Sequence, residues 1–131
     1  MALTRDDFAS WLDRYIAAWR SRDAELIGDL FSADCSYSYR GGHDRVEGRE
    51  AIVTDWLKEE EAGSWEAAYE PLAIDAEVHV AIGTTRYFDD GGLVRDEYSN
   101  IFVCRFDHEG RCSDFAEWFM RAPGPVERID A

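Results

Sequence analysis

The apolar positions of this chain change period along its length. Phe8, Trp11, Leu12, Tyr15, Ile16 and Trp19 recur at spacings of three and four, which predicts one apolar face of a helix. Thr4 stands where it can cap that helix, Asp7 sits at the third helical position, and Leu3 can staple onto Phe8. Ser21-Arg22-Asp23 breaks it, and Asp23 caps a second, shorter helix with Leu26, Ile27, Leu30 and Phe31 inward. Over Leu30–Tyr39 the period drops to two: Cys35, Tyr37 and Tyr39 alternate with Asp34, Ser36 and Ser38, the signature of a strand. Arg40 to Glu47 reads as a loop. A third helix is predicted from about Arg49 to Glu61, with Ile52, Val53, Trp56 and Leu57 inward. Glu59-Glu60-Glu61 forms its solvated end and Gly63 its stop.

Everything after that reads as strand. Four segments are predicted: Trp65–Ile74, with a bend near Pro71, then Glu77–Phe88, Leu93–Phe106 and Arg111–Met120. Asp89-Asp90-Gly91-Gly92 and Asp107-His108-Glu109-Gly110 are the turns before the last two. The core spans about residues 4–120, and 121–131, with Ala122-Pro123-Gly124-Pro125, reads as an irregular tail.

Composition narrows the class. The chain has 131 residues, 46% hydrophobic and 14% aromatic, which fits one domain with a real core. No apolar run approaches the roughly 20 residues that span a bilayer, and the first residues lack a signal-peptide pattern. Three cysteines without metal-type spacing read as free thiols in a reducing compartment. The expectation is a cytoplasmic protein. Its 28 acidic and 14 basic side chains leave a net charge of −14, which repels phosphate backbones and anionic lipid, so neither nucleic acid nor membrane is an expected partner.

The order of helix, helix, strand, helix and antiparallel meander resembles the nuclear transport factor 2-like superfamily. This group includes the SnoaL-like polyketide cyclases and the ketosteroid isomerases. The resemblance is carried by Arg14-Tyr15-Ile16-Ala17-Ala18-Trp19, Asp23, Leu30-Phe31-Ser32-Ala33-Asp34, Gly48-Arg49-Glu50-Ala51-Ile52, Phe106-Asp107-His108-Glu109-Gly110-Arg111 and Glu117-Trp118-Phe119. It implies a cone-shaped α+β fold, with three N-terminal helices packed on a strongly curved antiparallel (mixed) β-sheet that encloses a pocket. It also implies homodimers formed through the outer sheet face. An apolar outer set, Val78, Val80, Ile82 and Ile101, agrees with a covered surface.

Strand alternation, read on the isomerase pattern, turns three sets inward: His79, Ala81, Gly83, Thr85 and Tyr87; Tyr98, Asn100, Phe102 and Cys104; Phe115, Glu117 and Phe119. Ala81 and Gly83, being small, are expected to leave room for a ligand. Glu117, flanked by Phe115 and Phe119, is the candidate acid–base group, because a carboxylate in apolar surroundings holds its proton more tightly. The resemblance to the SnoaL-like cyclases, which use a pocket carboxylate as acid and base, implies the same role for Glu117. The alternative is that it pairs with Arg49 or Arg86 or faces water. Tyr15 falls where the isomerases keep an oxyanion-donating tyrosine, and a plain core tyrosine is its alternative. Asn100 can hold a carbonyl or hydroxyl. Trp19, Tyr37, Tyr39, Trp56, His79, Thr85, Tyr98, Phe102, Phe115 and Phe119 complete the expected ligand walls, with His43 and Asp44 near the mouth. The isomerase base falls at Tyr39 and its second oxyanion donor at Phe102, which argues against steroid isomerisation. No metal, phosphate-loop or nucleophile motif is present, so no cofactor is expected. The reading is a SnoaL-like protein that binds a small hydrophobic carbonyl or hydroxyl compound. It is an isomerase, cyclase or dehydratase, or else a non-catalytic binding or interaction module.

Overall fold

The computed structural model describes residues 2–39, 43–58 and 63–123. Helix α1 covers Arg5–Ser21. Its start follows from the capping residues: the Thr4 hydroxyl accepts from the Asp7 N–H at 3.1 Å. Its end is a left-handed Arg22, φ 56°, whose N–H returns to the Ala18 carbonyl. Asp23 caps α2, Ala24–Asp29, by accepting from the Glu25 and Leu26 N–H groups. With only six residues, α2 turns Ile27 and Gly28 inward, so Leu26, expected inside, is 48% exposed. Strand β1, Phe31–Tyr39, follows, and then the chain departs from expectation. Asp44–Glu47 is a strand, β2, paired antiparallel with β1 through Tyr37↔Val46 and Tyr39↔Asp44, and not the tail of a loop. Helix α3 covers Arg49–Lys58, and the expected acidic end at Glu59-Glu60-Glu61 lies outside the described residues.

Four long strands close the fold: β3 Trp65–Asp75, β4 Val78–Phe88, β5 Val94–Phe106 and β6 Cys112–Arg121. The sheet order is β2-β1-β6-β5-β4-β3, with β1 and β6 parallel and every other pair antiparallel. Register shifts at Pro71/Ala73, Tyr87/Phe88 and Arg105/Phe106 break the ladders, and such bulges bend strands. The helices lie in the curve. Trp11 is fully buried against Phe31, Phe106 and Phe115, and its indole N–H donates to the Leu30 carbonyl at 3.1 Å. Phe8 packs edge-on against Phe106 and His79. A buried aromatic of this size contributes on the order of 2–3 kcal/mol by burial alone. The result is a mixed α+β fold with helices on one face of a curved, unclosed sheet.

Gly83 is small for a reason other than ligand space. A Cβ there would lie 2.0 Å from the Ala68 carbonyl oxygen and 2.4 Å from the Tyr69 ring, so strand β3 and its tyrosine fill the place expected for a ligand. Ala81 is likewise buried in the core. Cys35, Cys104 and Cys112 are all buried free thiols. On the outer face Ile82, Ile101 and Trp118 line up across three strands, and Ile101, Trp118 and Met120 are 45%, 42% and 74% exposed. Among the described residues no helix is long and apolar enough to cross a membrane.

Candidate functional site

A cavity of 670 Å³ opens between α1, α3 and the concave face of the sheet. All six tyrosines of the chain line it: Tyr15, Tyr37, Tyr39, Tyr69, Tyr87 and Tyr98. Trp19 and Trp56 reach it from the helices, and Thr85, Asn100, Glu117 and Phe119 from the strands. Alternation is what brings these side chains to one side. Residues two apart on a strand share a face, and the antiparallel register sets Gly83 opposite Asn100 and Phe102 opposite Glu117.

Glu117 sits on β6 beside Tyr39 of β1. Its Oε1 accepts from the Asn100 side-chain N–H at 3.3 Å, and no described residue forms an ion pair with it. The two candidate partners are engaged elsewhere. Arg86 bridges Glu97 at 2.6 Å and Glu66 at 3.2 Å, and Arg49 donates to the Phe31 carbonyl. Burial pushes the Glu117 carboxyl up to about 7, opposed in part by the Asn100 hydrogen bond. That value suits a group that both takes and returns a proton near neutrality.

The phenols form a linked set. Tyr39 donates to Asp55 Oδ2 at 3.2 Å, and the hydroxyls of Tyr15 and Tyr37 are 2.8 Å apart. The Tyr37 and Tyr39 rings pack against each other with centroids 5.0 Å apart. A phenol has one proton, and Tyr39 commits its own to Asp55, while either hydroxyl of the Tyr15–Tyr37 pair can be the donor. Burial holds Tyr15 and Tyr37 well above the usual phenol range. Burial and then the Asp55 charge do the same for Tyr39, and the Glu117 charge adds to all three. The three phenols therefore stay neutral while Glu117 titrates.

Three expected wall residues lie elsewhere. His79 is fully buried in the core, six positions along β4 from Thr85, or about 20 Å at strand rise. Its Nε2 accepts from the Leu3 N–H at 2.9 Å, so Nδ1 carries the proton and donates to the Glu77 and Cys104 carbonyls. Phe102 and Phe115 are buried under the cavity. Phe115 stacks on Tyr37 at 4.4 Å and on Tyr15 at 5.5 Å, and Phe102 packs on Tyr69 at 4.7 Å. They hold the tyrosines in place and do not reach the cavity. Asp44 does line it, while His43 does not. Tyr87, read as inward-facing from sequence, lines it, as do Asp55, Lys58, Tyr69, Arg95 and Asp96, which were not singled out. Tyr69 had a usable signal, because Trp65, Ala67 and Tyr69 alternate inward with exposed Glu66, Ala68 and Glu70. Among the described residues no cluster of His, Cys, Asp and Glu is placed to hold a metal ion.

A curved sheet wrapped over helices around an aromatic cavity with a carboxylate in its wall defines the cone-shaped class of nuclear transport factor 2-like folds. The model of the SnoaL-like domain family matches residues 12–115, and the chain belongs to that family. Two solved structures share its fold. One is a candidate ketosteroid isomerase from Kribbella flavida DSM 17836, 18% identical, with a TM-score of 0.69 over 97% of this chain and 93% of that one. The other is an NTF2-like protein of unknown function from Cytophaga hutchinsonii ATCC 33406, 16% identical, with a TM-score of 0.59 over 86% of this chain and 98% of that one. No curated protein matches the sequence.

Proposed function

We infer that this chain is a cofactor-independent enzyme of the SnoaL-like group acting on a small hydrophobic molecule that bears a carbonyl or hydroxyl. Glu117 moves the proton, and Tyr15 and Asn100 stabilise the enolate-like oxygen. The observation that carries this reading is a desolvated carboxylate with no cationic partner among the described residues, opening on an aromatic cavity. Asn100 has a second amide proton for a ligand oxygen. Tyr15 offers its hydroxyl proton to that oxygen as a charge-assisted hydrogen bond while its oxygen can accept from Tyr37. Isomerase, cyclase and dehydratase chemistry all fit this arrangement. The presence of Tyr39 and Phe102 where ketosteroid isomerases carry acids favours a non-steroid substrate. It also supports a second reading, a binding module of the same fold.

A thermal-shift panel of steroids, phenolics and polyketide-like aromatics tests this. A ligand at 100 times its dissociation constant adds about 2.7 kcal/mol of stability. A hit supplies the substrate class for assay, and a panel with no shift removes the small-molecule reading for these classes.

The outer stripe of Ile82, Ile101 and Trp118 is proposed as a homodimer contact. Light scattering at micromolar concentration is expected to give a dimer, and Ile101→Asp with Trp118→Lys a monomer. A monomeric parent chain removes this proposal.

A further inference from the structure

Four polar side chains cross the concave face in a diagonal line, one from each strand of the β3–β6 meander. The Tyr69 and Thr85 hydroxyls are 2.7 Å apart, Thr85 Oγ1 donates to Asn100 Oδ1 at 2.9 Å, and Asn100 Nδ2 donates to Glu117 Oε1 at 3.3 Å. Thr85 and Asn100 are 3% and 6% exposed, so water does not replace these bonds. The direction of the line follows from proton counting. A threonine hydroxyl has one proton, and an amide oxygen has none. Thr85 gives its proton to Asn100, so Tyr69 is the donor at the Tyr69–Thr85 contact. The line runs one way, from Tyr69 through Thr85 and Asn100 to Glu117. With the Asn100 amide turned over, its oxygen would face the Glu117 carboxylate, acceptor against acceptor. The Glu117 carboxylate therefore selects the observed orientation, and the Thr85 hydroxyl reinforces it by donating to the amide oxygen.

We propose that Thr85 and Tyr69 are positioning residues for Glu117: they lock the Asn100 amide with its nitrogen toward Oε1, so that Oε2, which accepts from no described residue, is the oxygen left to exchange a proton with a ligand. The proposal rests on the reading of Glu117 as the proton-moving group and adds the device that orients it. The other titratable groups near the carboxylate do not supply this control. The phenols of Tyr15 on α1 and of Tyr37 and Tyr39 on β1 stay neutral. Asp55 and Lys58 on α3, and Asp44 on β2, share the cavity without a hydrogen bond to Glu117 among the described residues. On β4 and β5, Arg95 and Asp96 pair with each other, Tyr87 lies under Arg95, and Tyr98 packs on Tyr87.

The test is the titration of Glu117 itself, read by carbon NMR of protein labelled at its glutamate carboxyls. The Glu117 signal is identified by its loss in Glu117→Gln. Thr85→Val is expected to raise the Glu117 midpoint by about half a pH unit or more, because the amide is no longer held as a donor. Tyr69→Phe moves it the same way by less. Thr85→Ser, which keeps the hydroxyl, leaves it in place. An unchanged midpoint in Thr85→Val overturns the proposal, and so does a rise in Thr85→Ser as large as that in Thr85→Val, since packing is then the cause. If Thr85→Val does not fold, Tyr69→Phe decides. It removes one oxygen from a half-buried ring, and an unmoved midpoint rejects the chain. No turnover is needed, so a catalytically idle Glu117 and a broken positioning chain give separate results.

Discussion

Replacing Glu117 with glutamine is expected to reduce turnover of the substrate by about 10²- to 10⁴-fold, the usual contribution of a positioned acid–base group, while leaving binding within a few-fold. Glutamine keeps the shape of the side chain and an oxygen that accepts from Asn100. What it loses is the exchangeable proton. The measurement is kcat and KM on a ligand returned by the thermal-shift panel. A fall in kcat at nearly constant KM assigns the proton transfer to Glu117. Unchanged kcat removes Glu117 from the mechanism and moves the chain toward the binding-module reading.

The same substitution is expected to make the protein more stable at alkaline pH. The Glu117 carboxyl titrates near 7 in the folded protein against 4.5 for the ordinary group, because burial disfavours the charge. Between those values the folded state keeps a proton that the unfolded state has released. Stability therefore falls as pH rises from about 4.5 to about 7 and is flat above that. The difference is worth about 3 kcal/mol at pH 8, at 1.36 kcal/mol per pH unit. Glu117→Gln carries no such penalty. It should match the parent near pH 4 and exceed it at pH 8, by a Tm increase on the order of 10 °C. Equal Tm values at pH 8 would mean that the carboxylate is already solvated or paired in the folded state. One residue thus weakens the fold at the pH where it is best suited to move a proton, a common trade at functional sites.

Much of the architecture was legible because the chain changes period where its elements change. The aromatic spacing of Phe8 to Trp19 can only be satisfied by a helix, and the alternation after Trp65 only by strands. What escaped was β2, whose four residues include a single apolar one, Val46, too few to set a period. Leu26 escaped for a similar reason, because a six-residue helix has no second turn to fix its buried side. At the site, alternation tells which face a side chain occupies but not how far along the strand the cavity ends. Thr85 and His79 share a face, yet only Thr85 reaches the cavity. Asn100 and Phe102 differ in the same way. Asp55, Lys58, Arg95 and Asp96 read as solvated charges in any local window. Only the folding of α3 and the β4–β5 hairpin around the cavity gives them a common address.

β6 is bonded to β1 on one side and to β5 on the other, and among the described residues no other strand pairs the β1–β2 hairpin with the rest of the sheet. During synthesis the helices, the hairpin and three strands of the meander leave the ribosome before this strand does. The β1–β6 pairing joins residues far apart in sequence, the kind of contact that slows folding. Glu117 travels on β6, so the carboxylate proposed to move the proton takes its place only as that strand joins the two parts of the sheet.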